Sequence, residues 1–151
     1  QIVTLHAKTY SRWAGFGSAF EAKVASELAD FIRERDGKDS AIWHATIKDQ
    51  LLGSIAIDGK DLGERRAHLR WFIVDPSCRG IGLGKQLLAA AIDFVDKRHF
   101  TETHLWTLKG LDAARSLYER KGFVLMVEYE GDQWGARITE QRWVRKHSVS
   151  R

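Results

Sequence analysis

The sequence contains a single cysteine, Cys78, among its 151 residues. One cysteine excludes a disulfide within the chain and a cysteine-rich metal site, and it fits a reducing compartment. No apolar run approaches the ~20 residues that a membrane-spanning helix needs, and no signal-peptide pattern is present. The histidine and acidic residues show no metal-binding spacing. We therefore predict a cytoplasmic protein that needs no metal.

The remaining composition is that of a globular protein. Hydrophobic residues make up 44% of the chain and charged residues 29%, which predicts one soluble domain over residues 1–151. The net charge of +4 is explained by a solvated surface, or alternatively by a basic face that attracts an anionic cofactor. No RNP, zinc-finger or basic-helix pattern supports nucleic-acid binding. The sequence opens without methionine, which suggests a processed product or a fragment of a longer chain.

Hydrophobic periodicity predicts a mixture of strands and helices. Alternation over residues 2–7 predicts a first strand. Helical spacing behind a capping box, with Ser18 as the N-cap and Glu21 at position N3, predicts a helix over 19–35. The other predicted strands cover 42–47, 52–57, 67–74, 103–108, 123–129 and 136–144, and the other predicted helices cover 83–98 and about 112–120.

A glycine-rich turn, Arg79-Gly80-Ile81-Gly82-Leu83-Gly84, joins a predicted strand to a predicted helix. Glycine lets a ligand approach the backbone closely, and the helix start offers free N–H groups and the positive end of its dipole. A Walker A loop would need glycine at Arg79 and Ser or Thr at Gln86, and a G-x-G-x-x-G fingerprint would need glycine at Lys85 or Leu87. The pattern R/Q-x-x-G-x-G/A does fit, with a plain glycine-rich turn as the alternative.

A second motif runs from Leu111 to Phe123 as LDAARSLYERKGF. It resembles the N-x-x-A-x-x-L-Y-x-x-x-G-F element of the GCN5-related N-acetyltransferases (the GNAT family), and the glycine-rich turn resembles that family's pyrophosphate loop. The stretches LRWFIVDP and LKGLDAARSLYE further resemble the acetyltransferase half of bacterial MarR-type regulator–acetyltransferase fusions. Leu111 departs from the pattern, because the family often has asparagine there, so any contact of that amide is missing or replaced.

The resemblance implies the GNAT fold. This is an α/β (α+β) fold with a mixed, mostly antiparallel sheet of six to seven strands, helices on both faces, and a wedge where the fourth and fifth strands splay apart. The implied activity is direct acetyl transfer from acetyl-CoA to an amine on a small molecule or a protein. A non-catalytic acetyl-CoA-sensing module is the alternative. A homodimer and a MarR-type DNA-binding partner domain are left open.

The resemblance also implies roles for particular residues. Tyr118 would be the general acid and His68 the general base, while Arg70 would hold a substrate carboxylate and Glu64 would be a weaker substrate-binding or base candidate. The implied CoA-binding residues are Phe72, Ile73, Val74, Arg79, Gly80, Ile81, Gly82, Leu83, Gly84, Lys85, Ala114, Tyr118 and Lys121. Each has a structural alternative: the Tyr118 ring packs beside Leu117, His68 bonds to a neighbour, and Lys121 is a solvated helix end.

Overall fold

The computed structural model describes residues 1–14, 16–35, 37–132 and 137–147, and for residues 11–14 it describes the backbone alone. The helices are α1 (Ile2–Ala14), α2 (Ser18–Glu34), α3 (Leu83–Lys97) and α4 (Asp112–Arg120), and a 3-10 turn covers Pro76–Cys78. The strands are β1 (Ala41–Ile47), β2 (Gln50–Asp58), β3 (Arg66–Val74), β4 (Glu102–Leu108), β5 (Val124–Gly131) and β6 (Ile138–Lys146).

The six described strands form one sheet in the order β1-β2-β3-β4-β6-β5. The pair β3 and β4 is parallel, and the other neighbouring pairs are antiparallel. One face packs against the buried stripe of α3, with Leu88, Ala91 and Val95 in its core. The opposite face packs against α2 through an apolar cluster that includes Phe20 and Phe31. The predicted mixed, mostly antiparallel sheet with helices on both faces is confirmed.

The sheet divides between β3 and β4. Their pairing covers three positions, from Arg66 opposite Glu102 to His68 opposite His104, although the strands continue to Val74 and Leu108. The remaining parts of the two strands diverge, which leaves a wedge in the middle of the sheet. This is the splay that the resemblance implied for the fourth and fifth predicted strands.

A β-bulge in β3 accompanies the splay. The register passes from Ser54 opposite Ile73 to Ala56 opposite Arg70, so two residues of β3 face one residue of β2. One of the two, Trp71, has a left-handed φ of 48°, which costs about 1–2 kcal/mol for a residue with a side chain. The buried Ser54 hydroxyl donates a hydrogen bond of 2.7 Å to the Trp71 carbonyl oxygen. That bond satisfies a carbonyl in the irregular part of the strand.

The prediction of a strand over residues 2–7 is wrong, because these residues begin helix α1. Leu5 and His6 are buried, and Ile2 and Tyr10 are partly buried against the sheet and α2. The spacing of these four positions has the helical period. The six-residue alternation was too short a window to distinguish the two periods.

The capping prediction is also wrong. Gly17 is the N-cap of α2, Ser18 is already helical, and no side chain caps this end. The helix itself and the remaining predicted strands and helices are confirmed to within a few residues. Gln133 and Ala136, which border the last predicted turn and strand, lie outside the described residues.

Candidate functional site

The glycine-rich turn places free backbone amides at one end of the wedge. Gly80 and Gly82 have left-handed φ values of 86° and 83°, and Gly82 is the N-cap of α3. The first N–H group bonded within the helix is that of Gln86, which donates to the Gly82 oxygen at 3.1 Å. The amides of residues 83–85 therefore precede the helical bonding pattern. The first turn of α3 carries no acidic side chain, so nothing there repels an anion.

Gly84 is favoured by close packing rather than by backbone conformation. A Cβ atom at this position would lie 3.3 Å from Leu117 Cδ1 and 3.6 Å from both Phe72 Cζ and Val74 Cγ2. The start of α3 is thereby held close to both β3 and α4. The residues of the turn fit a diphosphate, because free amides, an open backbone at Gly80 and Gly82, and a helix N-terminus all occur together.

The second half of β3 has an unpaired edge. The Asp75 amide donates to the Leu52 oxygen on β2 at 2.7 Å, and backbone groups point to alternate sides along a strand. The backbone of Val74 therefore faces away from β2, into the wedge, where pairing with β4 has already ended. The Ile73 side chain packs against Leu5 of α1 and Leu51 of β2.

A cleft of about 430 Å³ lies beside this edge, between β3, β4 and the helices α1, α2 and α4. It brings five of the predicted site residues together: His68, Arg70, Phe72, Ala114 and Tyr118. The loop residues 79–85, Ile73 and Val74 border the wedge without lining this cleft. Lys121 is the C-cap of α4, and Glu64 lies in the turn before β3 with its side chain 84% exposed.

Tyr118 is buried, and its ring lies 6.0 Å from the Phe72 ring and 5.8 Å from the Phe123 ring. Burial raises the pKa of the Tyr118 phenol well above its ordinary value, and the nearby Tyr10 phenol acts in the same direction. The phenol is therefore protonated at neutral pH. In the part of the chain that the structure describes, its hydroxyl makes no hydrogen bond, so its proton is available to a ligand.

His68 forms a close pair with Asp61. The Nδ1 atom lies 2.6 Å from Asp61 Oδ2, and the edge of the imidazole meets the Trp106 ring at a centroid distance of 4.9 Å. Burial opposes ionisation of Asp61, but the hydrogen bond from His68 and the positive charges of His68 and Arg70 outweigh it and lower the pKa of the carboxyl. Because an ionised carboxylate only accepts hydrogen bonds, Nδ1 carries a hydrogen, and in the neutral ring Nε2 therefore carries the lone pair.

Arg70 is surrounded by carboxylates of the protein. Its guanidinium lies 2.7 Å from Glu27 Oε2, 3.5 Å from Asp58 Oδ2 and 3.9 Å from Asp61 Oδ2. It also stacks over the Trp71 ring at 4.3 Å from the centroid. Its charge is therefore balanced without any ligand.

The residues of the cleft that sequence reasoning missed include His6, Tyr10 and Asp61. His6 donates from Nδ1 to the Ile2 oxygen at 2.8 Å, and burial lowers its pKa to about 4. Burial raises the pKa of Tyr10 to about 12, although the charge of Arg79 partly offsets it. His6 was missed because residues 2–7 were interpreted as a strand, and Tyr10 because it lay in a segment interpreted as a loop or short helix. The D-x-x-D spacing after β2 was a usable signal for Asp61, since Asp side chains stabilise such turns.

Among the described residues, no cluster of histidine, cysteine and acidic side chains is arranged to hold a metal ion. No helix in the described ranges has the length and apolar character that crossing a membrane requires.

Comparisons with known proteins agree with this architecture. The model of the acetyltransferase (GNAT) family matches residues 5–123. No curated protein matches the chain in sequence. A GNAT-family acetyltransferase from Staphylococcus aureus Mu50 superposes with a TM-score of 0.76 at 16% identity, over 97% of this chain and 91% of that one.

Two further solved structures share the fold. The ribosomal-protein-S18-alanine N-acetyltransferase from Escherichia coli has a TM-score of 0.68 at 21% identity, over 99% of this chain and 88% of that one. A streptothricin acetyltransferase, so described provisionally, from Bacillus anthracis in complex with acetyl coenzyme A has a TM-score of 0.63 at 21% identity, over 78% and 68%. The family match covers most of the chain, and it is supported by the splayed sheet and the glycine-rich turn. This chain belongs to the acetyltransferase (GNAT) family.

Proposed function

We propose that this protein transfers the acetyl group of acetyl-CoA directly to an amine, which is carried by a small molecule or a protein. The observation that supports this most strongly is the cleft beside the wedge, which is lined by both a protonated phenol, Tyr118, and an imidazole with a free Nε2, His68. A proton donor and a proton acceptor in one cleft are what amine acylation by a thioester requires.

Acetyl-CoA supplies an activated acetyl group, and the chain supplies the backbone and side-chain groups that bind the cofactor. The amides of Gly80 to Lys85 would hold the diphosphate, with the side chains of Arg79 and Lys85 exposed on the same turn. The free edge of β3 at Val74, with Phe72 and Ile73 beside it, would pair with the pantetheine arm in the manner of an added strand. Ala114 lines the cleft next to Tyr118, and Lys121 remains a predicted phosphate contact.

In the transfer, His68 Nε2 accepts the proton that the amine loses as the new C–N bond forms. Tyr118 donates its proton to sulfur as the C–S bond breaks, and a thiol leaves. A backbone amide at the β3 edge would stabilise the charge that develops on the thioester oxygen, and removing one such donor typically costs about 10²–10³ in rate.

For Arg70 we propose a role in organising the acidic side chains, since its guanidinium already binds three carboxylates. Its predicted contact with a substrate carboxylate would require that Glu27 be displaced. The predicted substrate contact of Glu64 stays a prediction.

One observation favours the alternative of an acetyl-CoA-sensing module. Leu111, where the family often has asparagine, is the N-cap of α4, and no side chain caps this helix. The narrower resemblance to MarR-type fusions, the cytoplasmic location, the single domain, a fused or separate DNA-binding domain and a homodimer stay predictions.

The test measures binding and chemistry separately. Calorimetry with CoA and acetyl-CoA measures the affinity for the cofactor. Release of free thiol from acetyl-CoA in the presence of an amine panel measures acetyl transfer. We expect binding in the micromolar range or tighter and thiol release with at least one amine. Binding without thiol release from any amine would favour the sensing module, and no binding of either ligand would refute both functions.

A further inference from the structure

Asp61 and His68 form a carboxylate–imidazole pair in the wall of the cleft. We infer that Asp61 is a positioning residue for His68, which fixes the tautomer with a free Nε2 and stabilises the imidazolium that forms when the amine loses its proton. This inference rests on the proposed function, in which His68 is the general base. The 2.6 Å separation of His68 Nδ1 and Asp61 Oδ2 and the shared cleft support it.

Asp61 is itself held in place by a buried carboxylate. Asp58 is 8% exposed, and its Oδ1 atom accepts hydrogen bonds from the amides of Lys60 at 3.0 Å and Asp61 at 3.2 Å. The Arg70 guanidinium lies between the carboxylates of Asp58 and Asp61. Contacts from β2, from β3 and from the turn between them therefore hold Asp61 in place.

The imidazole is also fixed on its other side. Trp106 on β4 meets the His68 ring edge-on, with an interplanar angle of 71°, and the His68 side chain is 16% exposed. Asp61 therefore fixes the tautomer of the imidazole, and Trp106 together with Asp61 fixes the orientation of the ring plane. A base that is already oriented raises the reaction rate, because less conformational entropy is lost on reaching the transition state.

Several charged groups act on this imidazole. Asp61 and Asp58, its cross-strand partner on β2, place negative charge near the ring, and Arg70 on the same strand places positive charge there. His104 is its partner on β4, and Glu27 on α2 acts through Arg70. Replacing Asp61 with asparagine removes the nearest negative charge and keeps an oxygen that can accept a hydrogen bond from Nδ1.

The kinetic test compares wild type with Asp61→Asn and Asp61→Glu on an amine that wild type acetylates. We expect Asp61→Asn to lower kcat/KM for the amine by about 10–100-fold and to leave KM for acetyl-CoA unchanged. Asp61→Glu should recover part of the loss. In a His68→Gln background, Asp61→Asn should cost less than about threefold, since the two residues act as one unit.

A matched control uses a similar pair outside the cleft. Asp96 Oδ1 lies 2.9 Å from His147 Nδ1, so Asp96→Asn alters a carboxylate–imidazole pair remote from the proposed chemistry and should leave kcat and the pH profile unchanged. Wild-type kcat/KM in Asp61→Asn, or a full additional loss in the His68→Gln background, would overturn the inference.

A second measurement does not depend on turnover. Nitrogen-15 NMR of the imidazoles should show the Nδ1–H tautomer at His68 in wild type and a loss of that preference in Asp61→Ala. An Nε2–H tautomer in wild type, or an unchanged tautomer in Asp61→Ala, would refute the positioning role. If wild type acetylates no amine, the proposed function fails, while the NMR experiment still decides whether Asp61 controls His68.

Discussion

Replacement of Tyr118 by phenylalanine separates chemistry from folding. The Tyr118 ring packs against Phe72, Phe123 and Trp143, and phenylalanine keeps all three contacts. In the described part of the chain the hydroxyl makes no hydrogen bond, so its loss leaves no unpaired partner. We therefore expect the free energy of unfolding to change by less than about 0.5 kcal/mol. Loss of the proton donor should lower kcat by roughly 10²-fold, or ~3 kcal/mol of barrier.

The assay measures thiol release from acetyl-CoA at saturating amine, and denaturant unfolding measures stability on the same preparations. Tyr129→Phe is the matched control, because Tyr129 also lines the cleft but is 38% exposed. We expect its kcat to change by less than about threefold, which is below ~0.7 kcal/mol. Wild-type kcat in Tyr118→Phe would refute the acid role. A large loss of stability in that variant would refute the claim that the hydroxyl is unpaired.

Three further predictions concern the loop, the bulge and helix α1. Gly82→Ala places a side chain at a left-handed φ of 83° at the start of α3 and should weaken CoA binding, as measured by calorimetry. Gly63→Ala, at a φ of 67° in the turn between β2 and β3, should carry a similar backbone cost of about 1 kcal/mol but retain wild-type affinity for CoA, because it lies outside the glycine-rich turn. Ser54→Ala should destabilise the fold by about 1–3 kcal/mol in urea, because the buried Trp71 carbonyl loses its partner, and an unchanged midpoint would contradict the bulge geometry. The pKa of His6 is lowered from 6.5 to about 4 in the folded state, so the unfolded chain binds its proton first. The free energy of unfolding is therefore unaffected by protonation of His6 above pH 6.5, and about 3 kcal/mol of it should be lost as the pH falls to 4. Thermal unfolding curves of His6→Phe should lack this part of the pH dependence.

The fold was predictable where sequence periods are long or where turns carry specific residues. The α3 stripe repeats over 15 residues, and the glycine-rich turn before it has a recognisable spacing. The start of the chain was misread because Ile2, Val3 and Thr4 are β-branched, which favours strands, and because its partners for packing come from β2 and β3. Tertiary contacts of this kind override local propensity, and a single sequence does not display them.

The bulge was hidden for a different reason. The segment from Leu69 to Val74 is apolar apart from Arg70, so a change of face at Trp71 leaves no trace in the hydrophobic pattern. The Asp61–His68 pair depends on where the turn after β2 places its last carboxylate. His68 and Arg70 could be placed on one face by alternation along β3, but their acidic partners come from α2 and from that turn.

The narrow join between β3 and β4 has a mechanical consequence. The strands β1, β2 and β3 form one ladder and β4, β6 and β5 another, and three residue pairs at one corner connect them. An extended ligand that pairs with the free edge of β3 would add a strand in the gap between the two ladders. At a hundred times its dissociation constant, such a ligand would stabilise the folded protein against unfolding by about 2.7 kcal/mol. Amide hydrogen exchange should therefore slow down in both ladders as the ligand concentration rises.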